Sequence, residues 1–466
     1  MSNEVMQFRE QHLAYYLNFV ESAEHELQGR MQAMWMRRLE MEHDNLRAAL
    51  VWSLESQPEY GLQLAAALIE FWDTHAHITE ARKWLEAMLK ATSHLSPTPA
   101  RVVAIYGAVW LAIRQSEIAR SQSLLEEGLA LAQALGYKRG IAQGLAYRGR
   151  IKELFENDLE QAEPLYNDSL EIWRELGDKL GIGQALGPLA SCALNRHDFG
   201  RAEALFNESL ALFREVGNER EIAGALWNLS EVAILRGAYA SAQAFAGESL
   251  ALYRELEDKH GIATALRALS VAVHNQGNLA QAQTASEESV EIFRLISDRG
   301  CMGITLSVLA RQVYERGNLQ RAAELGHDSV AALQHDKVSI SSALDILGRI
   351  TLAQQNSTQA RQYFRDGLSL QRDLNDRRMV PSLLEGLAHD FVGSSRTEAA
   401  ICLLGAAEAL REEINLAMLQ IEHAEYDRLV STLRKQIDAV TYQKKWAEGR
   451  ALTMEQAVEL AMSAQD

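Results

Sequence analysis

Proline is scarce in this chain, with 6 residues in 466 against the roughly 5% of ordinary usage. Proline stops helices and marks turns, so its scarcity argues against sandwiches, barrels and proline-rich linkers. Aromatic residues are also few, at 7%, although hydrophobic residues reach 47%. That balance suits a chain that is nearly all helix. Cysteine is almost missing: Cys192, Cys301 and Cys402 stand about a hundred residues apart, which excludes a disulfide framework or a cysteine zinc cluster built from sequence neighbours. Positive charge is in short supply as well. With 46 basic and 63 acidic side chains the net charge is −17, which repels a phosphate backbone and excludes direct nucleic-acid binding by the chain as a whole. No window approaches the ~18 apolar residues of a membrane span. The start, Met1-Ser2-Asn3-Glu4, lacks a basic segment followed by an apolar run. These absences predict a soluble, cytoplasmic protein in a reducing compartment, without membrane contact.

What the chain does have is repetition. Single cores stop growing near about 250 to 300 residues, so a chain of this length divides into domains or forms an array. Asp178, Asn218, Asp258 and Asp298 are spaced by 40, followed by Asp336 after 38 and Asp376 after another 40. Each is a residue whose side chain can cap the helix that follows. Eight residues later come Leu186, Leu226, Leu266, Leu306, Leu344 and Leu384, and three further on Leu189, Leu229, Leu269, Leu309, Leu347 and Leu387. The i, i+3 spacing puts both leucines on one helical face. Gly237, Gly277 and Gly317 stand 19 residues after their caps, where a left-handed glycine ends a helix before a turn. Five residues on, Ala162, Ala202, Ala242, Ala282, Ala322, Ala360 and Ala400 let a second helix approach closely. That helix carries Ser169, Ser209, Ser249, Ser289 and Ser329, whose recurrence predicts small-residue packing. The unit is helix, turn, helix. The two residues missing between Ala322 and Asp336 predict a shortened second helix or linker there.

Leucine, small residues, a turn glycine and a crossing alanine at these spacings resemble tetratricopeptide repeats, lengthened from 34 to about 40 residues. The resemblance implies an all-α, right-handed superhelix of helix-turn-helix repeats. A narrower resemblance covers the ends. Trp35-Met36-Arg37-Arg38-Leu39-Glu40-Met41-Glu42-His43-Asp44-Asn45-Leu46-Arg47-Ala48-Ala49-Leu50, with Phe71-Trp72 and Arg82-Lys83-Trp84-Leu85-Glu86, is similar to the stretch after the nucleotide-binding module of bacterial signal-transduction ATPases with numerous domains. Leu404-Gly405-Ala406-Ala407-Glu408-Ala409-Leu410-Arg411 and Trp446-Ala447-Glu448-Gly449-Arg450-Ala451-Leu452 resemble the close of their helical sensor region, often ahead of a LuxR-type helix-turn-helix. The organisation expected is a helical linker or cap over 1–56, with helices near 7–56, a repeat array over 57–419, and capping helices over 420–466, formed near 420–462.

Chemistry is sparsely signposted. No glycine is followed by lysine, so the phosphate-cradling loop of those ATPases is missing and ATP hydrolysis is not expected of this chain. Gly181, Gly183 and Gly187 form GxGxxxG, with the wrong last spacing and no preceding strand for a dinucleotide site. Gly187-Pro188 predicts a kink in a first helix. His75 and His77, two apart, point to different faces if helical, and His25-Glu26 lacks a second histidine, so no metal site is expected. No Gly-x-Ser-x-Gly elbow occurs, and no carboxylate pair stands out as acid and base. The expectation is a protein that is not an enzyme and carries no cofactor.

In tetratricopeptide arrays the first helices line a concave groove. Carried over by column, the resemblance gives Gln184, Asn195, Trp227, Glu231, Arg267, His274, Asn275, Arg311, Tyr314, Asp345 and Arg349 as groove residues. Trp227 stands out in its column, opposite Gly187, Arg267, Ser307, Asp345 and Glu385. Arg311 and Arg349 share a column on successive first helices, close enough to grip one carboxylate or phosphate, with Arg267 near them. Asp345, four residues before Arg349, and Glu315, four after Arg311, compete as ordinary helix-surface partners. The leading functional expectation is a sensor that binds a protein or small-molecule effector in the groove and controls a nucleotide-binding module in cis or in trans. The alternative is a free-standing scaffold for protein–protein contacts.

Overall fold

The computed structural model describes residues 3–463 apart from 116, 157, 335, 375 and 393–395. The outermost residues of the expected terminal modules, 1–2 and 464–466, lie outside the described residues. Among those described, every regular element is a helix and no strand occurs. The chain opens with α1 (Asn3–Leu27), α2 (Gln32–Met41), α3 (His43–Ser56), α4 (Pro58–Ala67), α5 (Ile69–Thr74) and α6 (Ile78–Ala91). Successive pairs follow: α7 (Pro99–Arg114) and α8 (Ile118–Ala134), α9 (Lys138–Glu156) and α10 (Leu159–Leu176), α11 (Lys179–Asn195) and α12 (Phe199–Val216), α13 (Glu219–Leu235) and α14 (Tyr239–Glu255). Then come α15 (Lys259–Asn275) and α16 (Leu279–Leu295), α17 (Arg299–Glu315) and α18 (Leu319–Ala332), α19 (Ile340–Ala353) and α20 (Ser357–Leu374), α21 (Val380–Phe391) and α22 (Thr397–Glu413). The chain closes with α23 (His423–Gln436), α24 (Ala439–Arg450) and α25 (Met454–Ser463).

Local chemistry sets the helix boundaries. Asp178 Oδ1 accepts from Gly181 N at 3.1 Å, Asn218 from Glu221 N at 3.0 Å, Asp258 from Gly261 N at 2.8 Å and Asp298 from Cys301 N at 3.0 Å. Each bond pairs an N–H that the first helical turn leaves without a partner. Asp336 and Asp376 behave differently. They accept from Val338 N, Ser339 N and Arg378 N inside a turn, and their helices begin only at Ile340 and Val380. The two-residue deletion ahead of Asp336 coincides with an α18 of 14 residues where α16 has 17. Gly237, Gly277 and Gly317 adopt φ of 72°, 85° and 83°, the left-handed conformation expected of them. The helix Lys179–Asn195 continues through Pro188, whose missing N–H leaves the Gln184 carbonyl without its intrahelical donor.

Two features fasten one helix of a pair to the other. The recurring serines donate to first-helix carbonyls: Ser169 Oγ to Ala142 O, Ser209 to Gly183 O, Ser249 to Ala223 O, Ser289 to Ala263 O and Ser329 to Gly303 O, all at 2.7–2.9 Å. Packing alone does not describe them. Facing glycines also make room for large second-helix side chains. A Cβ on Gly183 would stand 2.5 Å from the Phe213 ring, and the fully buried Phe364 fills the space left by both Gly348 and Gly386.

The chain divides into two compact units: Met1–Leu229 with Glu248–Ile262, and Ser230–Gly247 with Ala263–Asp466. In the first, Leu13, Met36, Leu39, Phe71, Trp72 and Leu85 form one dense core across α1 to α6. In the second, Phe364, Leu383, Leu387, Leu404, Leu433 and Val458 join α20–α22 to the closing helices.

Candidate functional site

In the second unit, three arginines on successive first and second helices converge. Arg311 on α17 places Nη2 at 2.8 Å from Asp345 Oδ2, and Arg349 on α19 contacts the same carboxylate through Nε at 3.1 and 3.2 Å. Asp345 is wholly buried. Burial works to raise its pKa, but Arg349 and Arg311 outweigh it and hold the carboxyl below its ordinary value. Arg349 also donates to Ser382 O and Oγ on α21, at 3.2 and 3.0 Å. Arg411 on α22 grips Glu385 at 2.8 and 3.1 Å, yet burial still leaves the Glu385 carboxyl above its usual range.

The remaining donors of this cluster face the segment after α22. Residues 414–422 form no regular element. Glu422 Oε1 lies 3.1 Å from Arg311 Nη1 and its other oxygen 3.9 Å from Arg411, while Glu425 lies 3.6 Å from Arg349. Gln420 N donates to the Tyr239 hydroxyl at 3.3 Å, and Ala417 packs near Gly237. Leu416, Met418, Leu419 and Ile421 are half-buried. A carboxylate-bearing, non-helical segment therefore occupies the arginine-lined face. Asp345, the competing helix partner of Arg349, takes Arg311 as well, and Arg311 spends its second fork on Glu422 rather than Glu315.

Other groove candidates of this unit pair off locally. Glu231 and Arg267 approach to 3.5 Å, and His274, buried at 2% exposure, bonds Glu315 at 2.7 Å. Asn275 is buried and donates to Val271 O, while Tyr314 packs against the Val290–Leu306–Leu309–Val313 cluster, its hydroxyl pKa raised by burial. His274 and Asn275 thus lie inside the packing rather than on an open face, because Glu315 covers the last turn of α15.

The first unit holds the remaining candidates apart from one another. Gln184 donates to Glu221 at 2.7 Å, Asn195 to Glu153 at 3.3 Å, and half-buried Trp227 keeps a buried Nε1 without a partner. Its own polar cluster went unsignalled by the repeat. Asp73 on α5 accepts from Arg114 at 2.7 Å, Trp110 at 3.1 Å and Arg220 at 2.5 Å, and Arg220 also reaches Asp258 at 3.2 Å. Gln32 on α2 bridges Arg220 N and Glu70, at 2.9 and 2.7 Å. Burial pushes the Glu70 carboxyl up to about 7 against the pull of Arg220, whereas at Asp73 the two arginines overcome burial and hold it near about 2. The partners are 147 and 188 residues apart in sequence, so no local pattern announces them.

The histidine reading needs correction. His75 and His77 are not on a helix but in the turn between α5 and α6, where Ala76 has φ of 59°, and their rings stack 6.2 Å apart. The turn, and not helical geometry, sets the direction of the two rings.

Repeated helix pairs, with left-handed glycines in the α13–α14, α15–α16 and α17–α18 turns and small residues at the crossings, define a tetratricopeptide-like repeat protein. Residues 141–215 and 221–294 match the tetratricopeptide repeat family model. Over 147 residues, 29% of this chain, the sequence is 32% identical to proteins of Mycobacterium bovis and Mycobacterium tuberculosis that carry the name HTH-type transcriptional regulator. The chain spans 16% of the length of these curated relatives. Among solved structures, a Rap protein complexed with competence and sporulation factor is similar at a TM-score of 0.56 and 13% identity, covering 84% of this chain and 99% of that one. A STAND protein with a tetratricopeptide repeat sensor from Pyrococcus horikoshii gives 0.49 and 12%, covering 71% and 53%. At these identities the likeness is one of fold. Among the described residues no helix is long and apolar enough to cross a membrane.

Proposed function

We propose that the chain is a helical-repeat sensor whose arginine-lined face takes a carboxylate-bearing effector, and that it regulates a signal-transduction ATPase module attached to it or bound in trans, and through it transcription. One observation carries the reading: Arg311 and Arg411 face Glu422 on a stretch that forms no regular element, and Arg349 faces Glu425 in the first turn of α23. A face that binds its own acidic segment has the donors to bind an acidic effector in its place. The Rap protein of like fold, solved with its factor bound, supports a ligand-binding use of the architecture. The sequence resemblance of residues 35–50 to the stretch following a nucleotide-binding module supports the regulatory part.

The test supplies that module in cis or in trans and follows ATP hydrolysis. Glu422→Gln with Glu425→Gln weakens the internal contact and shifts the basal hydrolysis rate several-fold. Equal rates for parent and variant, with both folded, overturn the regulatory reading.

A further inference from the structure

The geometry points to a divalent transition-metal site of the zinc class formed by Glu40, His43 and His77. The three residues come from different elements of the first unit: Glu40 from the last turn of α2, His43 from the first residue of α3, and His77 from the turn before α6. Their ligand atoms all lie within 4.8 Å of one another. A point within about 2.8 Å of all three therefore exists, and each side chain has to move by less than ~1 Å to reach the 2.0–2.2 Å of a zinc bond.

Two further observations favour a cation over an ordinary polar cluster. His43 is only 6% exposed, and its buried Nε2 has no hydrogen-bond partner. Its contact with Glu80 Oε2 is long, at 3.4 Å, because that carboxylate is already gripped by Arg47 at 2.6 and 2.8 Å. A buried imidazole nitrogen without a hydrogen-bond partner is costly, and a metal ion bound to its lone pair satisfies it. The rings of His43 and His77 also stand 4.5 Å apart. Glu40 Oε2, now 3.3 Å from His77 Nε2, supplies the one negative charge that is not neutralised by an arginine in this group. Two imidazoles and a carboxylate, with no thiolate, suit zinc, cobalt, nickel or copper rather than calcium or magnesium. Water completes the coordination on the exposed side of Glu40. The bound ion would staple the α2–α3 junction to the α5–α6 turn.

The test uses the full chain, stripped with chelator and titrated with cobalt, then zinc. One equivalent of cobalt should give d–d absorption without a thiolate charge-transfer band, and zinc should bleach it. His77 is partly exposed, so His77→Ala tests the site without endangering the fold, and it should weaken uptake by more than about tenfold. His43→Gln should do the same, with circular dichroism as the folding control, while His75→Ala should leave uptake unchanged. Absence of a saturable cobalt spectrum in the parent, uptake retained in a folded His77→Ala, or uptake lost in His75→Ala overturns the assignment.

Discussion

Replacing Asp345 with asparagine removes one charge without changing volume, so the cost reads the arginine cluster rather than a cavity. Asp345 is 0% exposed and accepts from Arg311 at 2.8 Å and Arg349 at 3.1 Å. At such distances and an effective dielectric near 20, each contact is worth about 5 kcal/mol before desolvation is counted. Glu422, Glu425 and Glu385 stand close enough to supply part of the missing charge. The net loss should therefore fall at the low end for a broken buried pair, about 3 kcal/mol. In a unit of roughly 200 residues that lowers the melting temperature by about 6 to 12 °C. Calorimetry with a far-UV control measures it. A shift below about 1 °C would refute the reasoning, because the guanidinium groups would then be satisfied without Asp345.

Further outcomes follow from single contacts. Ser209→Ala removes a side-chain bond from the Gly183 carbonyl, which keeps its helical donor, and should cost about 1 kcal/mol by denaturant titration. Gly386→Ala drives a methyl to 2.3 Å from the buried Phe364 ring and should cost about 1–3 kcal/mol in the same assay, more than Gly247→Ala, where nothing stands within 4 Å. Glu70 is pushed by burial from 4.5 up to about 7. A carboxyl raised on folding contributes stability that is fully present below pH ~4.5 and is lost as the pH rises through ~7. Glu70→Gln should remove that loss, so that denaturation midpoints at pH 5 and pH 8 (chosen about the Glu70 range) draw together by up to about 3 kcal/mol; unchanged pH dependence contradicts the assignment.

Much of the architecture was legible because each repeat is local. Caps at Asp178, Asn218, Asp258 and Asp298, the leucine seam and the turn glycines act within about 20 residues of each other, so spacing alone exposes them. Another periodic signal lay in plain view: Trp173, Phe213, Tyr253 and Phe293 recur every 40 residues, and the first three pack on the glycines 181, 183 and 261. The shared use of Arg311 and Arg349 was readable from their column, although their acidic partners were not all foreseen. Glu422 is 111 residues from Arg311, and Arg220 is 147 from Asp73. Contacts of that span carry no periodic trace. The arrangement of His75 and His77 was not legible, because the positive φ at Ala76 that bends the chain between them leaves no mark in a two-residue spacing.

The arginine-lined face recognises the carboxylates of Glu422, on a stretch without regular structure, and of Glu425, in the first turn of α23. The most direct test of this recognition exchanges residues 416–422 for a glycine-serine linker of equal length and Glu425 for glutamine, which removes the tethered competitor and its high effective concentration. A labelled peptide of sequence Asn415–Glu425 is then titrated into the folded variant by fluorescence anisotropy. The account predicts saturable binding that weakens with salt and is lost in Arg311→Ala with Arg349→Ala. No binding to the folded variant, or equal binding by a peptide with both glutamates changed to glutamine, would contradict it.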